Sequence, residues 1–100
     1  MNTPESHADA NARFEAYRSA ALAEGFDEVQ ERQWPANAEL DEHTHDFSLK
    51  ARVIQGDMWL TVDGETRHLR PGDEFSLARN HPHAERYGPA GAAYWVARKY

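Results

Sequence analysis

The hydrophobic pattern changes period at Gly25. Before it, Phe14, Tyr17 and Ala21 recur at steps of three and four, the spacing that places side chains on one face of an α-helix. Ala8, Ala10, Ala12, Ala16, Ala20 and Ala23 surround that stripe with strong helix formers. Thr3 before Pro4, or Ser6 with Asp9 three positions on, offers an N-terminal cap, and Gly25 supplies the stop. One helix over residues 3–25 is expected. Its apolar stripe is too narrow to form a core, so it must dock on the rest of the chain or on a neighbour.

After Gly25, apolar and polar residues run in short strand-like segments broken by turn signals. Strands are expected near 28–34, 38–45, 47–55, 57–62, 66–69, 74–78, 83–87 and 92–99. Asp63-Gly64 is a tight hairpin turn, because both residues tolerate positive φ. Arg70-Pro71-Gly72-Asp73 is a second turn, Asn80-His81-Pro82 breaks the chain again, and Gly88-Pro89-Ala90-Gly91 reads as a loop. Short strands with turns every 8–12 residues predict an all-β sandwich or barrel behind the helix. The division is then a helical arm, 1–25, and a β-domain, 26–100. Val53, Met58, Leu60, Val62, Leu69 and Leu77 are candidate core; Phe47, Trp59, Phe75, Tyr87, Tyr94 and Trp95 are candidate core or cavity wall. In 92–99, Trp95 lies between Ala93 and Ala97 on one face, which suits packing against a helix or a second sheet.

Length and composition bound the possibilities. One hundred residues, 40% hydrophobic and 28% charged, make one globular domain. The chain has no cysteine, which excludes disulfides, thiolate nucleophiles and cysteine-based zinc sites. Its longest apolar run, Ala92 to Ala97, is far short of the ~20 residues of a membrane span, and its start lacks the basic and apolar regions of a secretion signal. A cytoplasmic protein with no membrane partner is expected. The net charge of −6 is uneven: residues 1–46 carry eleven acids against three arginines, and residues 47–100 carry six against eight lysines or arginines. An acidic chain repels phosphate backbones, so nucleic acid is not the expected partner. The acidic block reads as a solvated face.

Five of the six histidines, His43, His45, His68, His81 and His83, fall in the β part; His7 lies near the start and reads as solvated. His43 and His45 are one residue apart, so on a strand both imidazoles face the same way and could share a metal ion. A third ligand must then come from elsewhere.

The spacing of the remaining signals resembles the cupin family, small β-barrels of the jelly-roll type. The first cupin motif runs Gly, five residues, His-x-His, three or four residues, Glu, six residues, Gly. The second runs Gly, five residues, Pro-x-Gly, two residues, His, three residues, Asn. His43, His45 and Gly56 match the first, Gly72 and His83 match the second, and the hairpin through Asp63-Gly64 resembles the usual segment between them. The resemblance covers about residues 38–97. The chain departs from the motifs at Asn37, at Ala78-Arg79-Asn80, at Tyr87, and at Leu49 and Lys50, where the glutamate ligand should stand.

The resemblance implies a double-stranded β-helix barrel with an N-terminal α-helix. It also implies a divalent metal ion, of the zinc, iron, nickel or manganese type, held by His43, His45 and His83. Three neutral imidazoles leave such an ion at its full charge, which favours an anionic or chelating small molecule at the open positions. Asp46 should point away from the site unless a bulge turns it; His81 reads as a loop residue or a neighbour of His83; His68 lies beyond the hairpin. Glu85 could orient an imidazole, but a surface ion pair with Arg67 or Arg86 is the preferred expectation. Two functions follow: an enzyme such as a dioxygenase, isomerase or lyase, or a non-catalytic module that binds or senses a small molecule. The open edges of a small barrel predict a homodimer, with the helix and strand 28–34 as natural exchange elements.

Overall fold

A computed structural model describes residues 7–100, so the expected caps at Thr3 and Ser6 lie outside the described residues. The helix, α1, spans His7–Ala23. It ends as expected: Gly25 takes φ +100°, Phe26 N–H donates to the Ala21 carbonyl, and Gly25 N–H donates to that of Leu22, each at 3.1 Å. Those two bonds are a Schellman cap, which satisfies carbonyls that the helix end leaves open.

Six strands follow: β1 Glu28–Trp34, β2 Glu39–His43, β3 Ser48–Val62, β4 Glu65–Leu69, β5 Glu74–Leu77 and β6 His83–Lys99. All pairings are antiparallel. The eight expected strands are thus six, because two expected breaks are bends within longer strands. Segments 47–55 and 57–62 join as β3 across Gly56, which takes φ +78°. Segments 83–87 and 92–99 join as β6, and Gly88-Pro89-Ala90-Gly91 is not a free loop but a bulge inside that strand. The register shows why: Gly56 pairs with Ala92 and Met58 pairs with Tyr87, so four residues of β6 stand opposite Asp57 alone.

The bends let two long strands serve two layers. In one layer, residues 92–98 of β6 lie between β1 and the first half of β3, and β5 completes the row. In the other, residues 83–87 of β6 lie between β2 and the second half of β3, with β4 beyond. Two four-stranded layers joined in this way are the jelly roll that the sequence predicts.

Leu49, Ala51, Val53, Met58, Leu60, Leu69, Phe75, Leu77, Tyr87, Tyr94 and Val96 meet between the layers as one core. Trp95, on the opposite face of β6 from Tyr94 and Val96, receives the helix instead. Phe14 meets it edge-on at 5.6 Å and Tyr17 at 5.5 Å between ring centroids, while Ala21 is fully buried. The helical stripe therefore covers the outside of the barrel, and Lys50 Nζ pairs with Glu24 at 2.7 Å along the seam. Trp59 departs from its expected place. It lies on the outer surface of β3, stacked between His68 (4.4 Å) and the guanidinium of Arg86 (4.3 Å).

Candidate metal centre

The site forms at the end of the barrel where β2 stops and β6 begins. His43 and His83 are cross-strand partners in the β2–β6 ladder. His45 is not on a strand as expected, because β2 ends at His43. Its position is set by hydrogen bonds from the turn before β6. Asn80, at φ +59°, donates its N–H to the His45 carbonyl at 2.8 Å, and Arg79 donates to the Asp46 carbonyl at 3.1 Å. The ring of Phe47 stacks on His45 at 4.9 Å.

The three imidazoles consequently meet. Ring centroids are 4.3 Å apart for His43 and His83, and 5.0 Å for each pair that includes His45. One nitrogen from each ring lies within 4.8 Å of the other two, an arrangement that could hold a metal ion. Backbone carbonyls fix two of the tautomers. His43 Nδ1 donates to the Asp41 carbonyl at 2.7 Å, and His83 Nδ1 donates to that of His81 at 3.0 Å. In the neutral form of each ring this leaves the lone pair on Nε2, which is how ligating histidines are oriented. His83 is 2% exposed, and its Nε2 is buried without a hydrogen-bond partner. A buried, unpaired nitrogen costs about 1–3 kcal/mol, and a metal ion is the partner that this donor set fits.

Glu85 also faces the site, contrary to the expected surface ion pair. It is 7% exposed, with Oε1 3.4 Å from His83 Nε2 and 4.0 Å from His43 Nε2. Its other oxygen accepts a hydrogen bond from the Tyr87 hydroxyl at 2.7 Å. Burial alone would push its carboxyl up, but contact with His83 and Tyr87 and the charge of both imidazoles outweigh that, and the net shift is downward. Burial pulls His83 down, yet Glu85 and the His81 carbonyl leave it above the usual imidazole range. His45 lies below that range because of burial, reinforced by His83 and His43. Burial raises the Tyr87 hydroxyl, which keeps it a donor.

The other candidates are elsewhere. The Asp46 side chain is almost fully exposed and pairs with Arg79 at 3.3 Å. His81 contributes its carbonyl, while its ring binds Asp63 at 3.0 Å. His68 holds Asp57 at 2.8 Å on the outer face.

A cavity of about 220 Å³ opens beside the imidazoles, walled by Trp34, Phe47, Phe75 and Tyr94 and by the guanidinium-bearing Arg32 and Arg98. Arg98 lies over the Phe47 ring at 4.7 Å and reaches Glu28 at 3.3 Å. Arg32 lies over Trp34 at 5.0 Å and forms no ion pair among the described residues. The sequence placed Arg98 on the face of Tyr94 and Val96, but neither arginine was assigned to the site. The signal was the alternation in β1, which puts Arg32 on the face of Trp34, and in β6, which puts Arg98 on the face of Tyr94 and Val96.

A jelly roll with converging histidines from both motif regions defines a small cupin domain. The chain belongs to the family of AraC-like ligand binding domains, which matches residues 25–98. A search of curated protein sequences finds no match. Among solved structures, the fold is similar to an RmlC-like cupin from Shewanella frigidimarina, with 22% identity, TM-score 0.63, and coverage of 73% of this chain and 66% of that one. It is similar to the polyketide cyclase RemF from Streptomyces resistomycificus, with 25% identity, TM-score 0.62, and coverage of 77% and 58%. It is also similar to the DMSP lyase DddQ from Ruegeria pomeroyi, with 23% identity, TM-score 0.66, and coverage of 73% and 38%. The chain thus spans less than two thirds of each of these proteins.

Proposed function

We propose that this chain holds a divalent metal ion on His43, His45 and His83 and presents it to a small acidic or chelating molecule in the adjoining cavity. The observation that carries the reading is His83 Nε2: buried, without a hydrogen bond, oriented by the bond at Nδ1, and facing the nitrogens of two more imidazoles. A bound divalent ion supplies Lewis-acid polarisation of a chelating oxygen. The residues of the chain do the rest. Carbonyls of Asp41 and His81 hold His43 and His83 in the ligating tautomer. Arg32 and Arg98 favour negative charge on the molecule. Trp34, Phe47 and Phe75 exclude water from its apolar part. Glu85, buried beside the imidazoles and steadied by Tyr87, adds a negative charge on that side of the site.

The cavity, about 220 Å³, lies below the ~300–1,000 Å³ of drug-sized ligand pockets, so the molecule is on the order of a small organic acid. The cyclase and lyase with this fold make transformation of the bound molecule the first activity to assay. The family's description as a ligand binding domain favours a second reading, a module that binds without turnover. The two differ in whether the bound molecule is recovered unchanged.

Elemental analysis of the purified protein beside a His43→Ala, His83→Ala double variant tests the centre. The expected result is one divalent ion per chain in the wild type and none in a folded double variant. Equal metal in both would overturn the proposal.

A further inference from the structure

We propose that Glu85 is a fourth protein ligand of the centre, a carboxylate supplied by β6 in place of the glutamate that the first cupin motif carries on β3. This rests on the three-histidine reading and adds a donor to it. On β3 the motif position is closed to a carboxylate. Leu49 is buried and walls the cavity, and Lys50 turns to the outside, where it pairs with Glu24.

Glu85 stands in an apolar place. Its ladder partners are Leu40 on β2 and Leu60 on β3, and it forms no ion pair with lysine or arginine among the described residues. Burying an ionised carboxylate among leucines costs several kcal/mol unless a cation compensates it. What faces it is not a fixed cation but the Nε2 atoms of His43 and His83, whose Nδ1 atoms bond to backbone carbonyls and leave Nε2 as the ligating atom of each neutral ring. Two lone pairs and a carboxylate oxygen therefore converge. A proton shared there satisfies one pair of acceptors; a divalent ion satisfies all three.

The distances to two of the three imidazoles agree with that. Donors bound at 2.0–2.2 Å to one ion lie about 3.0–4.2 Å from each other, from adjacent to opposite positions. Oε1 is 3.4 Å from His83 Nε2 and 4.0 Å from His43 Nε2. The Tyr87 hydroxyl takes the other oxygen at 2.7 Å, which aims Oε1 at the imidazoles, as outer hydrogen bonds aim ligating carboxylates elsewhere. Glu85 also changes the chemistry, because one carboxylate reduces the charge of the centre from +2 to +1.

The test is a competitive zinc titration of wild type, His43→Ala and Glu85→Gln, with circular dichroism to verify the fold, and a crystal structure of the zinc-loaded wild type. The expected result is about a 100-fold or greater loss of zinc affinity in Glu85→Gln, with Glu85 Oε1 bonded to zinc in the crystal. If wild type and His43→Ala both fail to bind zinc, the three-histidine reading falls and this inference with it. If wild type binds, His43→Ala does not, and Glu85→Gln binds as wild type does, the three-histidine centre stands and Glu85 is not a ligand. Should Glu85→Gln fail to fold, the crystal structure decides alone: zinc on the imidazoles with Glu85 oxygens outside bonding distance overturns the proposal.

Discussion

Substituting Gly56 with alanine tests whether the bend shared by β3 and β6 depends on close backbone contact. Gly56 takes φ +78°, where an L-residue is strained by about 1–2 kcal/mol. A Cβ there would sit 2.1 Å from the Gly91 carbonyl oxygen and 2.8 Å from Ala92 Cα. Both are backbone atoms of β6, so no side-chain rotation relieves the collision; overpacking of this sort costs a further ~1–3 kcal/mol. The sum is about 3 kcal/mol, which for a domain of this size lowers Tm by about 12–24 °C. Gly72→Ala is the control. Gly72 also has positive φ, +97°, but a Cβ there meets nothing within 4 Å. It bears only the conformational term, about 1 kcal/mol or 4–8 °C. Thermal melts of the two variants by circular dichroism make the comparison. If Gly56→Ala melts within about 3 °C of Gly72→Ala, contact between the strands does not set the bend, and the account of how two layers share them fails.

Four further outcomes follow. Zinc at about 100 times its Kd should stabilise the fold by ~2.7 kcal/mol, a rise in Tm of about 11–22 °C that disappears in His43→Ala; an unchanged melting curve in wild type would refute the centre. Zinc binding should release protons as pH falls toward the imidazole range, because ligation needs neutral rings and Glu85 shifts His83 toward its protonated form in the metal-free protein. His45, held below that range, adds little, and apparent affinity should fall as pH drops; calorimetry in buffers of different ionisation enthalpy reads the proton count, and zero release counts against the assignment. Trp95→Ala should cost about 3 kcal/mol, because Phe14 and Tyr17 lose the ring on which they pack, yet leave zinc affinity unchanged, since Trp95 faces away from the site. Among the described residues β1 and β2 each pair with β6 alone, and sedimentation should find a species of twice the chain mass; a species of single-chain mass at micromolar concentration would refute a homodimer through those edges.

The sequence carried the fold further than it carried the site's surroundings. Helical spacing of Phe14, Tyr17 and Ala21 gave the docking stripe, and Asp63-Gly64 gave the hairpin, because both depend on local geometry. The merging of four expected strands into two did not show, because Gly56 and Gly88 to Gly91 look like ordinary breaks until the pairing register reveals a bulge. Motif spacing singled out His43, His45 and His83, whose rings lie within 5.0 Å of one another at the end of the barrel. The reason assumed for His45 was wrong: a tertiary bond from Asn80, not strand alternation, places it. Glu85 was legible in principle, since it alternates with His83 and Tyr87, but a charged side chain defaults to the surface when burial is unknown. Trp59 failed in the opposite sense. Its size suggested the interior, whereas Arg86 and His68 sandwich it outside.

His83, Glu85 and Tyr87 are successive inward positions of a single strand. Deleting one residue before Glu85 would reverse the facing of everything on one side of the gap, so the cluster has no half-assembled version reachable by a frame slip. Exchanging one residue at a time, by contrast, keeps the facing of the other two. Such a strand works like a three-slot rack: the barrel fixes the slots, and chemistry can be refitted slot by slot without rebuilding the walls.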